Sequence, residues 1–317
     1  MNEEYCVDNA KNKICSLSLS LGFTLIELSI VLVIIGLIVG GVLVGQNLIN
    51  AATVRSQITQ IERFNTAART FRVKYGYLPG DIPDPQASSF GFAARGAYAG
   101  QGDGNGIIVG NHGCSGCDSG EKEAAGETVM FWVDLNKAGL IEGSFTTATS
   151  STEPGSDITG SAVGNYLPSA KIGQGNYIYV WAGGSFSGGW VYTGVNYYGI
   201  SAVSTILAAS LGGKVSSTPG LSVSQAYNID QKIDDGLPQT GKVVAIYLGT
   251  AGSGDPIWTD GTDSLTQIPP QSPSLKTVSP SATTCYDNAG VANAAEIYTT
   301  KVNGGNGINC ALSFQFQ

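Results

Sequence analysis

The chain has 317 residues, 42% of them hydrophobic and only 13% charged, with 44 glycines and a formal net charge of −8. The acidic balance excludes a nucleic-acid groove, which needs clustered Lys and Arg against phosphates. A single histidine, His112, is the only candidate for a histidine general base, and glycine at about twice ordinary usage predicts a turn-rich, β-rich body.

Residues 1–22 are mixed in character, with Glu3, Glu4, Asp8, Lys11 and Lys13 among them. From Phe23 to Gly45 the one charged residue is Glu27. A helix over that segment is about 34 Å long, enough to cross a bilayer core of about 30 Å. A secretory signal fits poorly, because its apolar part is about 7–15 residues and ends in a small-x-small cleavage site. A carboxylate at the centre of a spanning helix costs roughly 2.5–3.5 kcal/mol, less near an end. Glu27 therefore calls for a partner. Lys11 and Lys13 before the run and Arg55 and Arg63 after it leave orientation undecided by charge.

The pattern then turns amphipathic. Val54, Ile58, Ile61, Phe64, Ala68, Phe71 and Tyr75 recur at gaps of three and four, one stripe of a helix. Pro79-Gly80 and Pro83 stop it. A helix from Phe23 to Tyr75 is predicted, with an apolar half, 23–45, and an amphipathic half, 46–75. In the body, 76–317, a helix is expected over Glu121–Leu140. A hairpin is expected from Tyr177–Trp181 and Trp190–Val195 across a glycine-rich loop. Ser222–Asp234 carries the signature of a capped helix, with Ser222 and Gln225 as a capping box and Gly236 after its end. Lys242–Leu248 is the clearest strand. The stretches 145–164 and 255–281 read as loop. Trp181, Trp190, Tyr197 and Tyr198 could offer an exposed binding surface, but core or hairpin packing is the plainer reading.

Asn111-His-Gly-Cys-Ser-Gly-Cys117 allows a redox pair or a zinc site using His112, Cys114 and Cys117. The first lacks its helix-start context and the second a fourth ligand, so a structural disulfide is the better reading. Asp103 and Asn105, in Gly102-Asp-Gly-Asn-Gly106, resemble the opening of a calcium loop without its later Glu, and Asp255, Asp260 and Asp263 form a second acidic stretch. Solvated turn chemistry is the plainer account of both. No nucleophile–base motif is present.

Ser20-Leu21-Gly22 followed by Phe23-Thr24-Leu25-Ile26-Glu27-Leu28 resembles the processing site of type IV prepilins and of type II secretion pseudopilins. The resemblance implies an α+β fold, a long N-terminal helix packed on an antiparallel sheet. It implies removal of residues 1–22 by a prepilin peptidase that cuts after Gly22 and leaves Phe23 as N-methylphenylalanine. Glu27 would then pair with the Phe23 amine of a neighbouring subunit and set assembly register. The implied partners are that peptidase, other pilin or pseudopilin subunits, and an inner-membrane assembly platform. The implied location is the bacterial inner membrane as a single-pass protein, with the body in the periplasm and later on a pilus or pseudopilus. Shorter segments also resemble longer members: Leu78-Pro-Gly-Asp81, Gly102–Gly106, Ala138-Gly-Leu-Ile141 and Ile229–Gly236. Cys6 and Cys15 would leave with the leader. Cys114, Cys117, Cys285 and Cys310 would remain, with three possible connectivities. A C-terminal disulfide loop, common in the family, favours Cys285–Cys310 with Cys114–Cys117. The functions to be weighed are a minor or specialised structural subunit, a filament-tip binding module on the same anchor and, last, an anchored enzyme.

Overall fold

A computed structural model of the chain describes residues 5–9, 12–16, 23–110, 125–150, 154–184, 192–208, 214–249, 256–259 and 277–316. The chain divides into two compact units, Met1–Ala51 and Ala52–Gln317.

In the first unit, β1 (Tyr5–Asn9) and β2 (Asn12–Ser16) form an antiparallel pair. Helix α1 (Leu25–Tyr75) starts here. Its apolar part has a mean hydropathy of 2.9 over 18 residues, with none of that stretch buried. Ile, Leu and Val supply nearly every side chain, so the helix is apolar on all sides rather than on one stripe, the composition of a helix surrounded by lipid or by other helices.

The second unit receives the amphipathic part of α1. Val54, Gln57, Ile61, Phe64, Ala67, Ala68 and Phe71 are buried there, and Ile58 and Tyr75 are partly buried against the same core. The expected stripe is thus the packed face, joined by Gln57 and Ala67. α1 stops at Tyr75 because Gly76 adopts φ 84° while its N–H still bonds to Arg72 O, a left-handed C-terminal cap. The short α2 (Gln86–Ser89) follows, then α3 (Glu127–Lys137). The sequence pattern placed the start of α3 earlier, at Glu121. Residues 121–124 lie outside the described residues, and Gly126, with φ 77°, stands at the cap immediately before Glu127.

The main sheet has six strands in order β3 (Ile158–Thr159), β5 (Tyr192–Ile206), β14 (Leu312–Phe316) and β8 (Val243–Val244), with β4 (Asn176–Gly184) and β6 (Val215–Thr218) also paired to β5. All pairings are antiparallel. The β4–β5 hairpin is the one expected from the aromatic runs, but β5 continues to Ile206. That length lets β5 hold β4 and β14 on its two sides over 196–200 and β6 and β3 further on.

β7 (Leu221–Ser222) leads into α4 (Val223–Ile233), whose capping box between Ser222 and Gln225 is formed as expected. Other elements depart from expectation. Lys242–Leu248 is two strands rather than one. β8 joins the main sheet, and β9 (Ile246–Leu248) pairs with β10 (Pro256–Trp258). Ala245 N–H instead bonds to Pro238 O, so the ladder breaks at this residue. β3 and β10 lie in stretches read as loop: each has only two or three residues, too few for periodicity to register. β11 (Tyr286–Asp287) pairs with β12 (Ile297–Tyr298), and β13 (Ile308–Cys310) with β7.

An aromatic core joins α1, α3 and the sheet. Phe64 meets Trp132 edge-on at 5.0 Å, and Tyr198 stacks on Phe316 at 4.1 Å. Trp181, Tyr197 and Tyr198 are all buried. These three rings take the core packing that was the plainer expectation rather than forming an exposed binding surface, and Trp190 lies outside the described residues. Two glutamines add polar specificity. Gln60 Nε2 donates to Ser169 O at 2.9 Å while its Oε1 accepts from Lys171 N–H at 2.8 Å. Gln57 Oε1 accepts from Ile172 N–H at 3.0 Å. These bonds peg α1 to the turn at residues 169–172, and the one from Gln57 pairs the N–H of buried Ile172.

Candidate functional site

At the start of α1, Thr24 and Glu27 form a reciprocal pair. Thr24 N–H and Thr24 Oγ1–H both donate to Glu27 Oε2 at 2.8 Å, and Glu27 N–H donates to Thr24 Oγ1 at 3.3 Å. This is a capping box, Thr-x-x-Glu, with Thr24 as cap. The sequence contained the signal, and its reading as an isolated carboxylate overlooked it. At this end of a helix a negative charge is also favoured by the unpaired N–H groups of the first turn. Glu27 thus sits where a charge in an apolar helix costs least, and its carboxylate reaches back to Thr24. Both bonds that Glu27 accepts fall on Oε2. Phe23 and Glu27 are exposed; Gly22 lies outside the described residues.

In the second unit, two of the short segments singled out in the sequence, Leu78–Asp81 and Gly102–Gly106, converge on α3. Gly80 adopts φ 84° and passes so close to α3 that a Cβ would sit 2.3 Å from Glu127 O, so the Pro-Gly turn admits no side chain there. Gly80 N–H donates to Asp134 Oδ2 at 2.7 Å. Asp134 is in turn clamped by Arg95, whose Nη2 lies 2.7 and 2.6 Å from its two oxygens in a buried ion pair. Next to Gly80, Asp81 accepts from Gly104 N–H at 2.7 Å and Gly106 N–H at 2.8 Å. Glu127 accepts from Gly102 N–H and Val109 N–H, each at 3.0 Å, and from Asp103 N–H at 3.3 Å. The glycine loop is wrapped around two buried carboxylates.

One oxygen from each of Asp81, Asp103 and Glu127 lies within 4.8 Å of the others. Asp103 is exposed while Asp81 and Glu127 are buried. Burial pushes Asp81 up to about 7, with the Asp103 charge adding to it and the loop N–H groups opposing it. Glu127 is pushed well above the usual range by burial and by the charges of Asp81 and Asp103. The group can share a proton between its carboxyls, and as hard oxygen donors its members are the type that calcium takes. Of the two residues weighed for calcium, Asp103 belongs to this group. Asn105 is engaged within the loop: its Oδ1 accepts from Ile107 N–H at 2.7 Å and its Nδ2 donates to Asp103 Oδ2 at 3.0 Å. Asp81 and Glu127 went unnoticed, because buried acids brought together from distant positions leave no local spacing to read.

Another of these segments, Ile229–Gly236, uses Asp230 to accept from Gly236 N–H at 3.2 Å and from Tyr298 O–H at 2.7 Å. This ties α4 to β12. Burial pushes Asp230 up to about 7. Cys285 and Cys310 form a disulfide, as expected; His112, Cys114, Cys117, Asp255, Asp260 and Asp263 lie outside the described residues. A groove of about 760 Å³ runs beside α1, bordered by Glu62, Arg63, Glu142 and Lys171 and floored by Phe64 and Phe145. Its charges are mixed, and no nucleophile–base pair is among these residues. Comparison with protein-family models, with curated proteins and with solved structures found no match for the chain.

Proposed function

We propose that the chain is a pilin-like structural subunit, minor or specialised, of a type IV pilus or type II secretion pseudopilus. On this reading a prepilin peptidase cuts after Gly22 and the subunit assembles through its N-terminal helix. The observation that carries the reading is the start of α1. A carboxylate held by a capping box, four residues after the proposed new terminus, opens a helix whose apolar side chains are exposed on every side. Such a helix gains its stability from lipid or from other helices rather than from its own fold. Cutting before Phe23 creates a cationic amine beside the Glu27 carboxylate. A neighbouring subunit can supply the same amine, and an unpaired charge between packed apolar helices is strongly unfavourable, so pairing specifies register.

On this reading the subunit is anchored in the inner membrane by this helix before assembly and joins a filament afterwards. A tip-binding role loses the aromatic surface that favoured it, since Trp181, Tyr197 and Tyr198 are buried in the core. The test is co-expression with a prepilin peptidase followed by N-terminal mass analysis. The expected product starts at methylated Phe23. A chain that keeps Met1, or is cut beyond Gly45, overturns the reading.

A further inference from the structure

The exposed side of the amphipathic part of α1 is basic. Arg55, Arg63, Arg69, Arg72 and Lys74 are all exposed, against one exposed acid, Glu62. The buried stripe from Val54 to Phe71 takes the other side of the helix. From Arg55 to Lys74 the basic face runs about 28 Å along the helix axis. Among the described residues, Arg55, Arg63, Arg69 and Lys74 enter no ion pair; the pair that forms there is Arg95–Asp134.

The body is charged the other way. Residues 76–317 hold 19 acids and nine bases. Six of those acids and Arg95 are buried, and with these set aside 13 acids still stand against eight bases. Asp84, Asp103, Glu142, Asp157 and Asp235 are exposed. One chain therefore carries a positive helix face and a negative body, the arrangement in which two copies attract when the face of one meets the body of the other.

We propose that the basic face of α1 docks on the acidic body of a second copy of this chain. The proposal rests on the reading of the chain as a subunit assembled through its N-terminal helix, and it names what the amphipathic part of that helix meets. The two charges lie on different surfaces, so the contact is heterologous. The body of each copy receives the helix face of another, and its own face is left for a third. Such contacts generate rings or open helical filaments rather than two-fold dimers. Exposed ion pairs are individually weak, so the basic face contributes steering and register, while apolar helix packing contributes most of the affinity.

The test uses the full-length, uncut chain in detergent, which covers the apolar part of α1 and leaves association to the charged surfaces. Sedimentation is compared between about 0.1 M and about 1 M salt, over which the screening length falls from about 10 Å to about 3 Å. Self-association is expected to weaken roughly tenfold or more across that range. Arg63→Glu combined with Arg69→Glu is expected to abolish it at low salt with the melting temperature unchanged, since both side chains are exposed. A wild-type chain that stays monomeric at low salt, or associates equally at both, overturns the proposal. Carbodiimide coupling of a mixture of heavy-nitrogen-labelled and unlabelled wild-type chains needs no variant. The expected product joins Lys74 of one copy to an Asp or Glu within residues 76–317 of the other, and the absence of such a link between copies overturns the proposal. Flotation with phosphatidylglycerol vesicles separates the other occupant: vesicle binding by a chain that stays monomeric assigns the face to anionic lipid and refutes the second copy. Association is scored on the uncut chain, so its failure is distinct from failure of the peptidase reaction that tests the assembly reading.

Discussion

Thr24 changes the meaning of Glu27. In sequence the carboxylate stands alone in an apolar run; in the structure it is already hydrogen-bonded, and at the end of the helix that favours negative charge. Thr24→Val removes the hydroxyl and its half of the capping box, and is expected to destabilise the first turn by about 1 kcal/mol, read as faster amide exchange at residues 25–28. Glu27→Ala is expected to leave the second unit intact and to lower incorporation into filaments, scored as the ratio of filament-bound to membrane-bound subunit; unchanged incorporation would count against the assembly role. The buried acids carry a pH dependence whose sign is set by their raised values. Asp81 and Asp230 both rise from 3.8 to about 7 in the fold, burial being the first cause. Folding favours their protonated forms, so their contribution is full below the unfolded value and is lost as pH rises toward the folded one. Melting temperature is therefore expected to fall between about pH 4 and pH 7. Asp81→Asn and Asp230→Asn should each flatten part of that slope in a thermal-melt series.

Elements in this chain follow their local signals where those signals are periodic or capped. α4 begins and ends where Ser222, Gln225 and Gly236 indicate. Ser222→Ala is expected to cost about 1 kcal/mol in chemical denaturation, because it removes one of the two reciprocal bonds at the helix start. The stripe from Val54 to Tyr75 is the packed face of α1, since a spacing of three and four admits a single buried side. Phe64→Ala opens a hole beside Trp132 and Tyr198 and is expected to destabilise the second unit by about 3–5 kcal/mol. Signals fail where strands are short or divided. Nothing in Val243–Leu248 announces the break at Ala245, because two strands in two sheets present the same buried, β-branched residues as one.

At the scale of the molecule, the C-terminal part is held by Cys285–Cys310, whose partners are 25 residues apart. Replacing both cysteines by Ser is expected to cost about 3 kcal/mol on a loop-closure estimate, checked by denaturation of the full chain in detergent with and without reductant. The α+β architecture and the long helix were legible in the amino-acid order, because hydropathy, caps and turn residues act over a few neighbours. So was the resemblance of Gly22 and the six residues from Phe23 to a prepilin processing site, on which the proposed cut rests. What the order could not reveal was convergence. Leu78-Pro-Gly-Asp81, Gly102–Gly106 and Glu127 stand far apart in the chain, and only folding brings two buried carboxylates inside one glycine loop. The same holds for the aromatics around Tyr198, whose hydrophobic bodies suit a core or a surface equally until the sheet and two helices close over them. Local order thus determined the helix, its carboxylate and its cap. Tertiary structure decided which polar groups are buried together, since burial depends on contacts between residues that the sequence holds far apart.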